Sequence, residues 1–229
     1  MLTDGKGAGR LTSPPRRGSV ARPRAGVSAM NSERTFRFAF WVLLALMILM
    51  RIWFAIGVRR AGKRLMPDRA ALRREGWIWA VRIFAFLLLV ALIVALARNP
   101  TWWSKLNFPL PFWLRWTAFV FGLASLGLWT WTHAALGTLW SAHLQLSADH
   151  RLVTCGPYSK IRHPMYTAVL AWAASLGFVL ANWVPVIFAP LAVLILMARV
   201  PREEQMMIER FGDEYREYMK RTGRFLPKW

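Results

Sequence analysis

The segment from residue 165 to residue 198 contains no Asp, Glu, Lys or Arg, and it is the feature that most limits how this chain can fold. One α-helix needs about 20 apolar residues to cross a lipid bilayer, and this segment is much longer than that. Asn182 and Pro185 interrupt it near its centre, as expected at a turn. The sequence therefore predicts a tight hairpin of two membrane helices.

Three further apolar stretches precede the hairpin, at residues 36–58, 77–97 and 112–135. Hydrophobic residues make up 56% of the chain and charged residues only 18%, whereas soluble domains carry about 25% charged residues. Arg51 lies near the middle of the first stretch, where an unshielded charge costs about 2.5–3.5 kcal/mol. The chain is predicted to be an all-α integral membrane protein with about five transmembrane helices.

The two ends of the chain are more polar. Residues 1–29 are rich in Gly, Pro, Ser and Arg and show no apolar period, which predicts a disordered basic segment. It is interpreted as an address signal, as a basic arm that touches anionic lipid, or as sequence that precedes a translation start at Met30. The tail from Arg199 onward is charged but keeps one apolar face, which predicts an amphipathic C-terminal helix.

A net charge of +20 first suggests nucleic acid as a partner. The basic residues, however, gather between the apolar stretches, as the positive-inside rule describes. Seven Lys or Arg separate the first two stretches, whereas Arg98 and Lys105 lie between the second and third. This pattern predicts that the first loop, residues 136–164 and the C-terminus face the cytoplasm, and that no nucleic acid is bound.

Polar groups that could perform chemistry concentrate between residues 143 and 166 and again from residue 203 to residue 217. Three of the four histidines lie in the first of these segments, and six of the eleven acidic residues lie in the second. No HxxxH or HxxE spacing occurs, and Cys155 is the single cysteine, so neither a metal site nor an internal disulfide is expected.

Three segments together resemble the isoprenylcysteine carboxyl methyltransferase family, which is related to the phospholipid methyltransferases. They are LGTLWS at 136–141, HRLVTCGPYSKIRHPMY at 150–166 and REEQMMIERFGDEYREYMKRTGRFLP at 202–227. The specificity comes from G-x-Y and RHPxY in combination with EE-x6-FG-x2-Y-x2-Y across a charge-free hairpin.

The apolar stretches predict three membrane helices at 30–135. The resemblance, which is confined to the C-terminal part of the chain, implies an enzyme that uses S-adenosylmethionine, with a membrane-embedded catalytic region at 136–229. By motif position it implies ten cofactor-binding residues, namely His150, Arg151, Leu152, Val153, Tyr158, His163, Pro164, Met165, Tyr166 and Glu203. Arg199 would contact the acceptor and form the catalytic pair with Glu203. A glutamine that contacts the cofactor in the family is His143 here, so Gln145 is the alternative contact.

The residue types suit these roles. A carboxylate such as Glu203 attracts a cation strongly where the dielectric constant is low. Tyr158 and Tyr166 offer aromatic faces to a sulfonium or an adenine. Each residue also has an interpretation without a functional role. Prolines and basic residues collect at membrane interfaces, Arg199 among them, and the helix dipole favours Glu203 at a helix N-terminus.

Several functions follow from these features. The first is methylation of the carboxylate of an isoprenylcysteine-like acid, a lipid-like or prenylated acceptor, at a site facing the cytoplasm. In a bacterium this would be the inner membrane. The nearest alternative is N-methylation of an ethanolamine-type phospholipid. A membrane reductase would need a nicotinamide site, for which no phosphate-binding fingerprint is present. A non-catalytic scaffold or transporter would show repeats or charges within spans, of which Arg51 and Arg82 are the weak signs.

Overall fold

The structure is a computed structural model, and it describes residues 25–62, 77–98, 101–137 and 152–228. These ranges contain α-helices and no β-strand. The helices are α1 (Ala25–Arg60), α2 (Trp77–Arg98), α3 (Thr101–Ser104), α4 (Phe112–Leu136), α5 (Pro164–Leu180), α6 (Trp183–Met197), α7 (Val200–Phe211) and α8 (Asp213–Arg221), with a 3-10 helix at Gly156–Ser159.

Helix α1 begins at Ala25, so residues 25–29, which were predicted to be disordered, are helical. Extending an existing helix by a turn requires no new nucleus, and this favours helix continuation beyond the apolar stretch. Residues 1–24 lie outside the described residues.

Three helical stretches in the described ranges are long and apolar enough to cross a membrane, at Ser32–Arg60, Phe112–Leu136 and Trp183–Phe211. Phe86–Arg98 and Pro164–Leu180 are apolar but shorter. The predicted class, an all-α integral membrane protein, is confirmed. The number of five transmembrane helices stays a prediction.

The predicted hairpin is confirmed, because α5 ends at Leu180 and α6 begins at Trp183. Ala181 adopts the left-handed conformation that closes α5, with φ 50° and ψ 47°. The Asn182 side chain then caps α6 by accepting a hydrogen bond of 2.9 Å from the backbone N–H of Val184. The turn thus forms where the sequence places a residue that favours helix N-caps.

Helix α5 packs against α1, α4 and α6, and the apolar core lies between these four helices. Leu43 of α1, Trp129 of α4 and Leu176 of α5 are all buried there. Gly177 allows α5 and α6 to approach closely, since a Cβ atom at this position would lie 2.5 Å from the backbone of Val186. The core fixes α5, which carries part of the candidate site at its N-terminus.

One end of the bundle, which we call the turn end, is closed by the polar residues Glu33, Arg115 and Asn182. Buried Arg115 donates to the carbonyl of Val179 at 2.9 Å and pairs with Glu33 at 2.6 Å. It therefore satisfies a carbonyl in the last turn of α5, where helices leave such groups without an intrahelical partner. Asn182 donates to the carbonyl of Trp103 at 2.9 Å. The candidate site lies around the opposite end of α5, which we call the site end.

Candidate active site

The N-terminus of α5 is the first component of the site. His163 is its N-cap residue and Pro164 occupies its first position, where a missing N–H is tolerated. Immediately before it, the 3-10 helix buries Tyr158. Gly156 begins this short helix with φ 58° next to α4, and a Cβ atom there would lie 3.2 Å from Trp131 Nε1. This packing holds the segment before α5 against the end of α4.

The start of α7 supplies the acidic component. Arg199 is the N-cap residue of α7, and its Nη2 lies 2.6 Å from Glu203 Oε1 one turn later. Pro201 lies between them in the first helical turn, where proline does not interrupt helical hydrogen bonds. The two side chains therefore share a face of the helix.

Glu203 joins this pair to the N-terminus of α5. The Tyr166 hydroxyl donates to Glu203 Oε1 at 3.1 Å, and His163 Nδ1 lies 3.7 Å from Glu203 Oε2. The side chain of Arg199 is 10% exposed and that of Glu203 is 21% exposed. Two helices that are distant in sequence thus form one partly buried cluster of two charged groups, an imidazole and a phenol.

The adjacent Glu204 has a separate set of partners and was not singled out by the sequence. Its Oε1 lies 3.1 Å from Arg162 Nε, 3.3 Å from His163 Nε2 and 3.2 Å from Arg224 Nε. Arg224 Nη2 also donates to Oε2. Glu204 is buried, so the two guanidinium groups and the hydrogen bond to the imidazole offset the cost of removing its charge from water.

The C-terminal segment after α8 completes this arrangement. The backbone N–H of Arg162 donates to the carbonyl of Gly223 at 2.8 Å, and that of His163 donates to the carbonyl of Arg224 at 3.0 Å. Thr167 Oγ1 donates to the carbonyl of Phe225 at 2.6 Å. The chain terminus is therefore bonded directly to the segment that carries the RHPxY motif.

Helix α8 is attached to the 3-10 helix through two tyrosines. The hydroxyl of Tyr218 donates to the carbonyl of Tyr158 at 2.6 Å, and burial raises the pKa of Tyr218 to about 12. Burial is also the main reason that the pKa of Tyr158 lies above its ordinary value, with smaller contributions from neighbours that include Glu203. Both phenols therefore remain protonated at neutral pH, and Tyr158 lies within electrostatic reach of Glu203.

The structure brings six of the predicted site residues together, namely Tyr158, His163, Pro164, Tyr166, Arg199 and Glu203. Leu152 and Val153 are half-buried in the irregular segment that leads to the 3-10 helix. Met165 packs against the apolar core. The remaining predicted contacts lie outside the described residues, and they are His150, Arg151 and the alternatives His143 and Gln145.

The sequence contained only an indirect signal for the partners of Glu204. Arg162 and Arg224 both lie within the motif segments, but their spacing along the chain does not show that they meet on one carboxylate. Within the described residues, no group of three or more His, Cys, Asp or Glu side chains is arranged to hold a metal ion.

Comparison with known proteins places the site within a recognised region. The family model of the isoprenylcysteine carboxyl methyltransferase (ICMT) family matches residues 116–209. This range runs from α4 to α7 and contains both the RHPxY motif and the Glu203–Glu204 pair.

Individual relatives fall into two groups. The nickel-cobalt-cadmium resistance protein NccN of Alcaligenes xylosoxydans xylosoxydans is 28% identical over 70% of this chain and 68% of its own length. The cobalt-zinc-cadmium resistance protein CzcN of Cupriavidus metallidurans is also 28% identical, over 73% of this chain and 70% of its own. The protein-S-isoprenylcysteine O-methyltransferase of Schizosaccharomyces pombe is 34% identical over 80 residues.

The alignment with that yeast enzyme covers 34% of each chain, so this chain spans about a third of its length. The solved structure of a eukaryotic intramembrane Ras methyltransferase, ICMT, is 22% identical with a TM-score of 0.47, over 65% of this chain and 51% of that chain. In residues 116–209, the chain is thus similar to the isoprenylcysteine carboxyl methyltransferase family.

Proposed function

We propose that this chain transfers a methyl group from S-adenosylmethionine to an acceptor dissolved in the membrane. The preferred acceptor is the carboxylate of an isoprenylcysteine-like thioether acid. The observation that carries this proposal is the cluster of Arg199, Glu203, His163 and Tyr166 at the site end. It lies within residues 116–209 and beside apolar helices, which suits a site shared by a polar cofactor and a lipid-like acceptor.

The donors and acceptors of the cluster fit this cofactor. A carboxylate has about four acceptor positions, and Glu203 Oε1 receives hydrogen bonds from Arg199 and Tyr166. Oε2 faces His163 at the longer distance of 3.7 Å. Glu203 therefore retains the capacity to accept a hydrogen bond from an ammonium group. The aromatic rings of Tyr158 and Tyr166 suit a sulfonium or an adenine.

The bound cofactor supplies a methyl group that is already activated for displacement. Glu203 would hold its cationic end, because opposite charges attract strongly in a partly buried site. The guanidinium of Arg199 has five N–H donors, and its Nη2 lies 2.6 Å from Glu203 Oε1. Its planar fork is suited to an anionic acceptor such as a carboxylate.

A carboxylate acceptor is ionised at neutral pH and needs no general base. Alignment of the two reactants and exclusion of water could then supply much of the rate. An amine acceptor would have to lose a proton, and a base would become important. The chemistry of the cluster therefore favours methyl-ester formation. A phospholipid N-methyltransferase is the nearest alternative, because a lipid phosphate would also bind Arg199.

The experiment is to incubate detergent-purified protein with radiolabelled S-adenosylmethionine, first alone and then with an S-prenylated cysteine acid or with phosphatidylethanolamine. We expect saturable cofactor binding and a radioactive lipid product whose label is released by mild alkali, as a methyl ester requires. An alkali-stable product formed from phosphatidylethanolamine would identify the alternative. Absence of cofactor binding would contradict both functions.

A second candidate function comes from the relatives named for metal resistance, which align over 70% and 73% of this chain. The candidate is that methyl transfer by this chain contributes to resistance to cobalt or cadmium. The test is growth on these metals of a sensitive bacterial host that expresses the wild type or Glu203→Gln. Metal tolerance that requires an intact Glu203 would support the candidate. If both strains are as sensitive to the metals as the host without the gene, the candidate is contradicted.

A further inference from the structure

We propose that the C-terminal segment at residues 222–225 is part of the cofactor site. Glu204 is the positioning residue, because it holds the His163 imidazole and the Arg224 guanidinium on one carboxylate. This inference rests on the proposed function, since it concerns the geometry of the same cofactor site. It predicts that docking of the segment and binding of the cofactor favour each other.

Glu204 connects two parts of the chain that are distant in sequence. Arg162 and His163 reach it from the N-terminus of α5, and Arg224 reaches it from beyond α8. Its side chain is 5% exposed, whereas that of Arg224 is 46% exposed. A buried carboxylate requires its cationic partners, because losing one leaves charge without compensation. The docked C-terminal segment is therefore held at this point by charge.

Among the contacts that orient His163, two come from the C-terminal segment. Its backbone N–H donates to the carbonyl of Arg224 at 3.0 Å, and its ring packs against Phe225 with a centroid separation of 6.0 Å. Another contact is from Nε2 to Glu204 at 3.3 Å. With Nε2 held there, the other ring nitrogen faces Glu203. The C-terminal segment thus helps to determine which nitrogen of the His163 imidazole faces Glu203.

The segment has a specific docked conformation. Gly223 donates its N–H to the carbonyl of Lys160 at 3.1 Å. A Cβ atom on Gly223 would lie 1.8 Å from the carbonyl oxygen of Leu226, so the chain folds back tightly at a position that only glycine can occupy. Thr167 Oγ1 donates to the carbonyl of Phe225 at 2.6 Å. These bonds place Arg224 opposite Glu204 and Phe225 beside His163.

The consequence is a thermodynamic coupling. If the docked segment orients His163 beside Glu203, the cofactor binds the docked form more tightly than the undocked form. By linkage, the cofactor must then stabilise docking by the same factor. A segment that only stabilises the fold would show no such response to the cofactor.

The test variant is Arg224→Gln in the full-length protein in detergent. Two quantities are measured, the affinity for S-adenosylmethionine by calorimetry and the hydrogen exchange of residues 222–228 with and without the cofactor. In the wild type we expect the cofactor to slow exchange in this segment. In Arg224→Gln we expect affinity to fall about tenfold, as loss of a hydrogen bond to a charged group implies, and the cofactor-dependent protection to be lost. Arg224→Lys should restore part of both.

The matched control is Arg216→Gln, which removes an exposed arginine that pairs with Asp213 in α8. It should bind the cofactor as the wild type does. If Arg224→Gln shows no thermal unfolding transition, it is not folded and Thr167→Val replaces it as the test variant. Thr167→Val removes the hydrogen bond to the Phe225 carbonyl from the α5 side. It should also reduce cofactor affinity and the cofactor-dependent protection from hydrogen exchange.

The outcomes separate the two proposals. If Arg224→Gln binds the cofactor and is protected from exchange as the wild type is, the role of the segment is overturned and the proposed function stands. The same holds for Thr167→Val where it replaces Arg224→Gln. A wild type that does not bind the cofactor at all would overturn the proposed function and this inference with it.

Discussion

Glu203 and Glu204 are adjacent, yet their surroundings assign them different roles. The side chain of Glu204 is 5% exposed and lies among Arg162, His163 and Arg224. The side chain of Glu203 is 21% exposed and bonds to Arg199 and Tyr166. Consecutive helical residues point in different directions, about 100° apart. The motif therefore uses one carboxylate to hold the segments together, and we propose that it presents the other to a ligand.

Replacing Glu203 with glutamine tests its role as the partner of the cofactor's cationic end. The change keeps the shape of the side chain and removes its charge, so we expect cofactor binding to weaken by about 1–3 kcal/mol. Calorimetry on purified protein measures this. Glu209→Gln, on the exposed part of the same helix, is the control and should bind normally. Unchanged affinity in Glu203→Gln would leave stabilisation of the helix N-terminus as its role.

Arg199→Ala tests the contact with the acceptor. We expect a higher KM or a lower kcat for the acceptor, while cofactor affinity stays close to that of the wild type. Removing Arg199 also removes a cation from Glu203, so attraction of the cofactor's positive charge is not reduced. Arg199→Lys should recover only part of the loss, because lysine lacks the two-pronged geometry.

Steady-state kinetics with each substrate varied in turn, together with calorimetry, separates these effects. Arg202→Ala, at an exposed neighbouring position, should behave as the wild type. If Arg199→Ala abolishes cofactor binding or leaves turnover unchanged, Arg199 does not serve the acceptor. It would then mark the membrane interface only.

At the scale of the elements, the turn between α5 and α6 depends on one buried side chain. Asn182 accepts from Val184 N–H and donates to Trp103 O and to Asn107 Oδ1. Asn182→Ala removes a helix cap and leaves buried polar partners unsatisfied, so we expect a loss of about 2–3 kcal/mol in unfolding free energy.

Denaturation of the detergent-purified protein measures the effect of this change. Asn182→Asp should be at least as damaging, because its carboxylate can still cap α6 but would bury a negative charge against the Trp103 carbonyl and Asn107 Oδ1, which can only accept. Lys105→Ala, exposed in the neighbouring loop between α3 and α4, is the control. An unaltered stability of Asn182→Ala would show that the turn is set by the apolar packing of α5 against α6 alone.

The elements that could be predicted from the sequence are those whose signal is local. The absence of charge from 165 to 198 and the turn residue Asn182 were sufficient for the hairpin, because lipid and backbone bonding restrict such a segment to helices. The residues of the candidate site could be predicted from their chemical types and from their resemblance to the motifs of a known family. The set of groups that meet on Glu204 could not be predicted, because the approach of Arg162 and Arg224 to the same carboxylate depends on how the chain folds back after α8. Arg115 was likewise missed, since its partners Val179 and Glu33 lie far away in sequence.

At the scale of the whole molecule, the two ends of the helix bundle carry different polar clusters. The turn end is closed by Glu33, Arg115 and Asn182, whose hydrogen bonds tie the helix ends together. The site end carries the Glu203 and Glu204 clusters. This division suits a bundle in which the turn end holds the helices in place and the site end binds the proposed cofactor. We therefore expect the site end to face the side of the membrane on which the cofactor is made.

The single cysteine allows this orientation to be measured. Cys155 is exposed and lies at the site end, next to the 3-10 helix. Lys105 is exposed at the turn end, in the loop that bonds to residues 181–183. Because basic residues are retained in the cytoplasm, the distribution of Lys and Arg predicts that Cys155 lies inside and Lys105 outside.

In intact bacterial host cells, a membrane-impermeant maleimide should leave Cys155 unlabelled until the cells are opened. The same reagent should label Lys105→Cys, made in a Cys155→Ser background, without opening them. The reverse pattern would place the site end outside the cell and contradict a cytoplasmic methyltransferase.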